Sequence, residues 1–261
     1  MGDNMPLKGM NAVITGGAGG LGISTARHFL AAGARVLLAD VDESGLAQAL
    51  DGLRASAQAA AVATCDITDA NQCEALITTA ERFFNGPVDV FVANAGRPFG
   101  GSLVDASPLD IRKVIDVNVT GSILSAQAAL RSLVRSQQAC LLFTGSLQSV
   151  MGRAERSVYT ASKHAIAGLV KSLALEMGPQ GVRVNGIAPT LVDTAFLHQA
   201  YEQAGVDVAS ALAKAAQSLP LGRIPSVDDF AQAAVYLASP SAAAITGHLL
   251  MVDCGASAGK F

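Results

Sequence analysis

Short runs rich in β-branched residues and leucine recur along this chain at Asn11–Thr15, Arg35–Asp40, Ala60–Thr64, Val88–Ala93, Ala139–Thr144, Val182–Ile187 and Leu249–Val252. Between them, Leu21–Ala32, Glu43–Ser56, Asp69–Phe84, Pro108–Val134, Ser157–Met177 and Val227–Ala238 place apolar residues at three- and four-residue spacing, which predicts helices. Seven strands alternating with helices predict an α/β protein with a doubly wound, seven-stranded parallel sheet covered on both faces. No repeat, low-complexity tract or Pro/Ser-rich linker divides the chain, so residues 1–261 read as a single domain. One stretch breaks the rhythm. Leu191–Pro220 is too long for an ordinary connection and is a candidate lid, at about 191–220, over the carboxyl ends of the strands.

Composition narrows the class. With 51% hydrophobic residues and a mean hydropathy of +0.39, the chain is too apolar to be disordered. No unbroken apolar run approaches the roughly 18 residues that a membrane span needs. The start, Met1 to Pro6, lacks the pattern of a signal peptide and reads as a short tail. Cys65, Cys73, Cys140 and Cys254 are scattered without ligand spacing, as expected of reduced, buried thiols in the cytoplasm. The 18 basic residues form no cluster and the net charge is -3, which argues against nucleic acid and membrane surfaces and for a small-molecule partner. His28, His164, His198 and His248 have no metal-ligand spacing, so no metal is assigned.

The first strand runs straight into Thr15-Gly16-Gly17-Ala18-Gly19-Gly20-Leu21-Gly22, where a helical pattern begins. Glycines there permit a tight turn and let backbone N–H groups approach a pyrophosphate at the positive end of a helix. Glycines also close helices onto strands, so the loop alone is a weak signal. Asp40 strengthens it, because it ends the second strand at the offset of a carboxylate that binds a ribose diol and repels a 2′-phosphate. The cofactor favoured is NAD; Asp42 suits a helix cap better. Asp66, after the third strand, either accepts a hydrogen bond from an adenine amine or, like Asp69, serves a turn or cap.

Tyr159 and Lys163 stand four apart in a helical pattern, so their side chains share a face. With three tyrosines and six lysines, chance supplies about 0.07 such pairs. A phenol is a poor base at neutral pH, and a neighbouring ammonium would draw its pKa down toward the working range. Together with Asn94-Ala95-Gly96, Asn118, Ser146 and the glycine loop, this pair makes the whole chain resemble the classical short-chain dehydrogenase/reductase (SDR) family, whose fold is of Rossmann type.

The resemblance implies a catalytic set of Asn118, Ser146, Tyr159 and Lys163. It implies a cofactor site built from Gly16, Gly19, Gly20, Leu21, Gly22, Asp40, Asp66, Ile67, Asn94, Gly96, Tyr159, Lys163, Pro189, Val192 and Thr194. Ser146 and Tyr159 would hold the substrate oxygen, Tyr159 would take or give its proton, Lys163 would bind ribose hydroxyls, and Asn118 would hold a water leading from Lys163 to solvent. Pro189 and Thr194 would meet the nicotinamide carboxamide. Three departures stand out: Ala93 for the first Asn of Asn-Asn-Ala-Gly, Thr190 for the Gly after Pro189, and Cys254 for the first Gly of a terminal Asp-Gly-Gly.

These readings converge on an NAD-dependent oxidoreductase that interconverts a small secondary alcohol and its ketone. The alternatives are a non-catalytic nucleotide sensor, for which Ser146, Tyr159 and Lys163 would be superfluous, and a 3-oxoacyl reductase, for which no basic mouth is evident. An epimerase with the same Tyr/Lys pair would need a large C-terminal substrate domain. Pocket-lining stretches by resemblance include Leu147, Val150, Met151 and Phe196, with Gln148 either binding substrate or lying on a surface loop. Apolar residues on more than one face of Pro108–Val134 and Ser157–Met177 suggest a homotetramer.

Overall fold

In the computed structural model, which describes residues 5–53, 58–194, 197–198, 201 and 205–259, every apolar run becomes a strand. These are β1 (Asn11–Thr15), β2 (Arg35–Asp40), β3 (Ala60–Thr64), β4 (Val90–Ala93), β5 (Cys140–Thr144), β6 (Arg183–Pro189) and β7 (Leu249–Val252). All neighbours pair parallel, in the order β3-β2-β1-β4-β5-β6-β7. The chain order reverses between β1 and β4, so a crevice opens at the carboxyl ends of these two strands. The strand ends differ from the pattern for local reasons. Val88 sends its N–H to the Ser132 hydroxyl (2.9 Å) instead of joining the ladder, so β4 begins at Val90. In contrast, β6 continues to Pro189, which pairs with Val252.

Between the strands lie α1 (Gly20–Ala31), α2 (Glu43–Leu53), α3 (Ala70–Phe84), α4 (Pro108–Ile115), α5 (Ser122–Leu133), α6 (Ser157–Met177), α7 (Val208–Gln217) and α8 (Val227–Ala238). The period of two along each strand divides its apolar residues between two cores. Val13, Leu37, Phe91, Leu141, Phe143 and Val184 pack with Ala80 of α3, Ala129 of α5 and Ile166 of α6. Ile14, Val36, Leu38, Val92 and Leu142 pack with Ala26 of α1, Leu46 of α2 and Phe230 of α8. The doubly wound sheet predicted from the sequence is therefore present.

Helix ends follow capping chemistry. Asp69 caps α3 by accepting from the N–H groups of Asn71 and Gln72, and the helix stops at Asn85 in the left-handed region (φ 54°). Asp42 precedes α2 and accepts from the Gly45 N–H (3.0 Å) and the Ser44 hydroxyl (2.8 Å), the cap role assigned to it. These hydrogen bonds, that from Gly45 foremost, hold its carboxyl below the ordinary Asp range. The expected end of this helix at Ser56 lies outside the described residues.

Two helical expectations need correction. Pro108–Val134 is not one α-helix: a π-helical turn over Asp116–Gly121 separates α4 from α5. Such a turn widens the coil and is common where a side chain must be aimed at a site. The hydrogen bonds of Asn118, described below, supply the cause. Leu191–Pro220, in turn, contains α7, which hydrophobic periodicity does not predict. Its inward stripe, Val208, Ala211, Leu212, Ala215 and Ala216, is mostly alanine and only half-buried, none of its residues is fully buried, and its N-terminus is capped by Asp207. Among the described residues no helix is long and apolar enough to cross a membrane.

Phe91 lies on a central strand with 0% exposure, whereas Val104 is 93% exposed. Phe91→Ala is expected to cost about 3–5 kcal/mol in urea unfolding and Val104→Ser less than about 0.5 kcal/mol.

Candidate active site

The glycine loop closes where β1 meets α1, and its shape leaves no room for side chains. Gly16 sits at φ 66°, and a Cβ there would stand 2.9 Å from the Ala95 backbone; a Cβ on Gly22 would come within 2.3 Å of the Gly16 carbonyl. A Cβ on Gly20 would lie 3.4 Å from the methyl of Thr194, so the segment after β6 passes over the start of α1. Asp40 accepts from the Ala18 N–H (3.1 Å) and the Asp42 N–H (3.2 Å), which fixes its carboxylate beside the loop.

Asn94 sews this loop to the middle of the sheet. Its side-chain amide donates to the carbonyls of Thr15 (3.0 Å) and Gly16 (3.2 Å), and its Oδ1 accepts from the Thr144 hydroxyl (3.0 Å). The Thr15 hydroxyl in turn accepts from the N–H groups of Asn94 (3.0 Å) and Ala95 (3.2 Å). The Thr144 carbonyl accepts from Lys163 Nζ at 2.8 Å. Lys163 and Asn118 both approach Gly96: a Cβ there would lie 3.7 Å from Nζ and 3.5 Å from Asn118 Oδ1. Asn118 accepts from the Arg97 N–H (2.6 Å) and donates to the Arg97 carbonyl (2.9 Å) and the Ser162 hydroxyl (3.0 Å).

Ser146 follows β5 and caps the single 3₁₀ turn Leu147–Ser149, accepting from the Gln148 N–H (3.2 Å). The same hydroxyl lies close enough to the Tyr159 phenol to act against the rise in its pKa. Tyr159 and Lys163 do share a face of α6, with Nζ 5.7 Å from the ring centroid. The ionisation of the pair differs from the expectation. Burial raises the Tyr159 phenol above the ordinary tyrosine range, and the Ser146 hydroxyl and the charge of Arg156 only partly oppose it. Lys163, 5% exposed, is itself lowered to about 8 by burial.

Other assigned residues fall into place unequally. Ile67 abuts Gly121 of the π turn, and Pro189, the last residue of β6, and Val192 beyond it are buried. Gly19 and Leu21 flank the first residue of α1. Asp66 is occupied locally, its carboxylate accepting from the N–H (2.9 Å) and hydroxyl (2.7 Å) of Thr68. Gln148 has a buried Oε1 with no hydrogen-bond partner among the described residues. Phe196 lies outside those residues. The departures are accommodated differently: Ala93 is buried in β4, Thr190 is half-buried, and Cys254 holds the left-handed backbone (φ 53°) that glycine adopts most easily.

Sequence reasoning passed over Thr144 and Ser162 because their contributions are contacts across elements. Arg156 had a usable signal in its closeness to Tyr159 along the chain.

A family model described as enoyl-(acyl carrier protein) reductase matches residues 16–257. The chain is 36% identical over 258 residues to (+)-borneol dehydrogenase 1 of Salvia officinalis, covering 96% of this chain and 95% of that one. It is 33% identical over 256 residues to a 3alpha-hydroxysteroid dehydrogenase of Mediterraneibacter gnavus, covering 95% and 97%. A crystal structure of a short-chain dehydrogenase/reductase, glucose/ribitol dehydrogenase from Brucella melitensis, superposes with a TM-score of 0.88 at 26% identity, covering 96% of this chain and 98% of that one. The chain belongs to the classical short-chain dehydrogenase/reductase family. Members of this family usually bind a nicotinamide cofactor.

The buried cation has a thermodynamic consequence. Below about pH 8 the folded and unfolded chains both carry the Lys163 charge, and the cost of burying it is complete. Between about 8 and the ordinary lysine value the unfolded chain holds more protons, so stability rises with pH. Lys163→Met is therefore expected to stabilise the fold near neutral pH by about 1–3 kcal/mol, after loss of the Thr144 hydrogen bond, with the gain shrinking toward about pH 10. Urea unfolding at the two pH values measures it.

Proposed function

We propose that this protein is an NAD-dependent oxidoreductase interconverting a small secondary alcohol and its ketone, with Ser146, Tyr159, Lys163 and Asn118 as the proton relay. The observation that carries the reading is Tyr159 set one helical turn before a buried Lys163, whose Nζ holds the Thr144 carbonyl, at the same carboxyl edge as the glycine loop. The names of the relatives, among them the borneol and 3alpha-hydroxysteroid dehydrogenases, support the substrate class.

The residues fit a dinucleotide. Gly16 and Gly22 let the loop fold tightly on Ala95 and on its own backbone, where a Cβ would collide, so the loop leads directly into the start of α1, and Asp40 sets a carboxylate beside it. Gly19, Gly20 and Leu21 would present the start of α1 to the pyrophosphate, Asp40 the ribose diol, and Asp66 and Ile67 the adenine. Asn94 and Gly96 would line the nicotinamide ribose, while Pro189, Val192 and Thr194 would orient the carboxamide. When bound, the nicotinamide supplies the hydride acceptor or donor.

The rest falls to this chain. Ser146 and Tyr159 hold the substrate oxygen, and Tyr159 takes its proton during oxidation or returns it during reduction. Lys163 passes protons between Tyr159 and a water that Asn118 would hold toward solvent, and the link of Asn118 to Ser162 keeps its amide oriented. Gln148, with its unpartnered oxygen, accepts a hydrogen bond from a second polar group on the substrate. Residues 191–220, whose Thr194 already lies over the start of α1, act as the lid of a single domain. Exposed Leu109, Ile123 and Leu175 on α4, α5 and α6 support a homotetramer, and four buried free thiols support a cytoplasmic setting.

Two measurements test the reading. NADH formation with a panel of secondary alcohols should appear in the unmutated protein and fall below a few per cent in Tyr159→Phe, which keeps packing volume but removes the proton acceptor. Activity confined to acyl-carrier thioesters would overturn the substrate class. NAD should be preferred over NADP by about tenfold or more in kcat/KM, and Asp40→Ala should erode the preference. Equal use of both cofactors would refute the role of Asp40.

A further inference from the structure

We propose that Arg156 is a positioning residue for Tyr159: it clamps the loop after β4 to the start of α6 and sets a second fixed cation beside the phenol, in addition to Lys163. The inference deepens the oxidoreductase reading and rests on it only for its effect on turnover.

Arg156 breaks a local rule. It occupies the N-cap of α6, where a short acceptor is preferred and where a positive charge opposes the helix dipole, and its side chain makes no cap hydrogen bond. Its guanidinium reaches across to the loop instead, where Nη1 donates to the Phe99 carbonyl at 2.9 Å. Room for it exists because residue 100 is glycine: a Cβ there would stand 2.5 Å from Nη1 and 3.0 Å from Cζ. The backbone is tied at the same place, since the Gly101 N–H donates to the Glu155 carbonyl at 2.9 Å. Glu155 itself is held at φ 59°, a strained conformation for this residue type. Strain, an unfavourable cap and a glycine whose space the guanidinium occupies thus all converge on one contact.

The clamp bears on Tyr159. Phe99, Val114 and Val158 form a small separate core, against which Tyr159, Ile111, Ile115 and Ala106 are packed. Fixing the Phe99 carbonyl therefore fixes one wall around the phenol. Arg156 precedes the first residue of α6, and its guanidinium on the Phe99 carbonyl lies at the wall against which Tyr159 packs. The loop and α4 offer apolar side chains on that wall, the 147–149 turn offers Ser146, and α6 offers Lys163 and Arg156. Arg97, Arg153 and Glu155 in the flanking segments are exposed to solvent. Lys163 is engaged with the Thr144 carbonyl, whereas a guanidinium keeps its charge at any working pH. The lowering influence of Arg156 on the phenol agrees with this geometry.

The chain has three tyrosines and no tryptophan, so the tyrosinate ultraviolet absorbance, taken as the difference between each protein and its Tyr159→Phe counterpart, reports the Tyr159 titration without any turnover. Arg156→Gln should raise the midpoint by about 0.5–1 unit, and Arg156→Lys, which retains a charge, should recover at least half of the rise. Gly100→Ala, which displaces the guanidinium and leaves its charge in place, should give an intermediate rise; it also covers the case in which Arg156→Gln does not fold. In kinetics with NAD, the acid limb of the kcat profile should move by the same amount. A midpoint unchanged in Gly100→Ala and in any Arg156→Gln that folds would overturn the proposal, even if melting temperatures fell, because a purely structural clamp leaves the titration alone. A shifted midpoint in a protein that oxidises no alcohol would uphold Arg156 and reject the oxidoreductase reading.

Discussion

A line of hydrogen bonds centred on Asn94 joins the two halves of this fold. Parallel strands end together at one edge, and where the order reverses between β1 and β4 nothing in the ladder itself connects the loops that follow them. Asn94 makes that connection: its amide holds the carbonyls of Thr15 and Gly16, and its oxygen holds the hydroxyl of Thr144. Thr144 then holds Lys163 through its carbonyl. The glycine loop and α6, which carries Tyr159 and Lys163, are thus registered to each other through one side chain and two strand ends. Each group in the line is buried or half-buried, so leaving one unpaired would cost about 1–3 kcal/mol and the arrangement resists slipping.

The π turn extends the same logic to the other side of Lys163. An uninterrupted α-helix from Pro108 to Leu133 would wind uniformly through Asn118, whereas the wider turn over Asp116–Gly121 lets its amide pair with both backbone groups of Arg97. Gly121, where a Cβ would lie 2.7 Å from Ile67, lets this irregular coil pack closely against the segment after β3. The irregularity is local and the helices either side remain regular, so the fold keeps its core while re-aiming one residue.

What could be read from the sequence divides along the same lines. Strands with 0% exposed residues such as Val13, Val36, Phe91 and Leu141 announce themselves by composition, because burial on both faces leaves no polar positions. The glycine loop and the Tyr159/Lys163 pair were also legible, since both depend on spacing within a single element. Periodicity could not reveal the π turn, because one added residue per turn shifts the apolar pattern by less than the width of the stripe. It also missed α7, which buries none of its residues. The partners of Lys163 and Asn118 lie on other elements, and no local pattern encodes them. The raised pKa of Tyr159 escapes the sequence for a related reason: spacing places the lysine correctly, but burial of both groups, a property of the assembled fold, governs the outcome.

The places where this chain violates local rules are few and nearly all lie at the carboxyl edge of the sheet. Lys163 is a cation with 5% exposure, Arg156 is a cation at a helix N-cap, and Glu155 and Cys254 adopt left-handed backbone without being glycine. Each is unfavourable by itself, at about 1 kcal/mol or more. Elsewhere, alternating cores, capped helices and buried aromatic side chains agree with one another, and that surplus is what tolerates the exceptions. An ammonium held on the Thr144 carbonyl in a dry site is poorly solvated, so a nearby anion interacts with it far more strongly than it would in water. In the role proposed for Lys163, the same burial that destabilises it in the resting fold would make it effective when negative charge appears on a neighbouring oxygen, and relieving the strain would weaken that role with it.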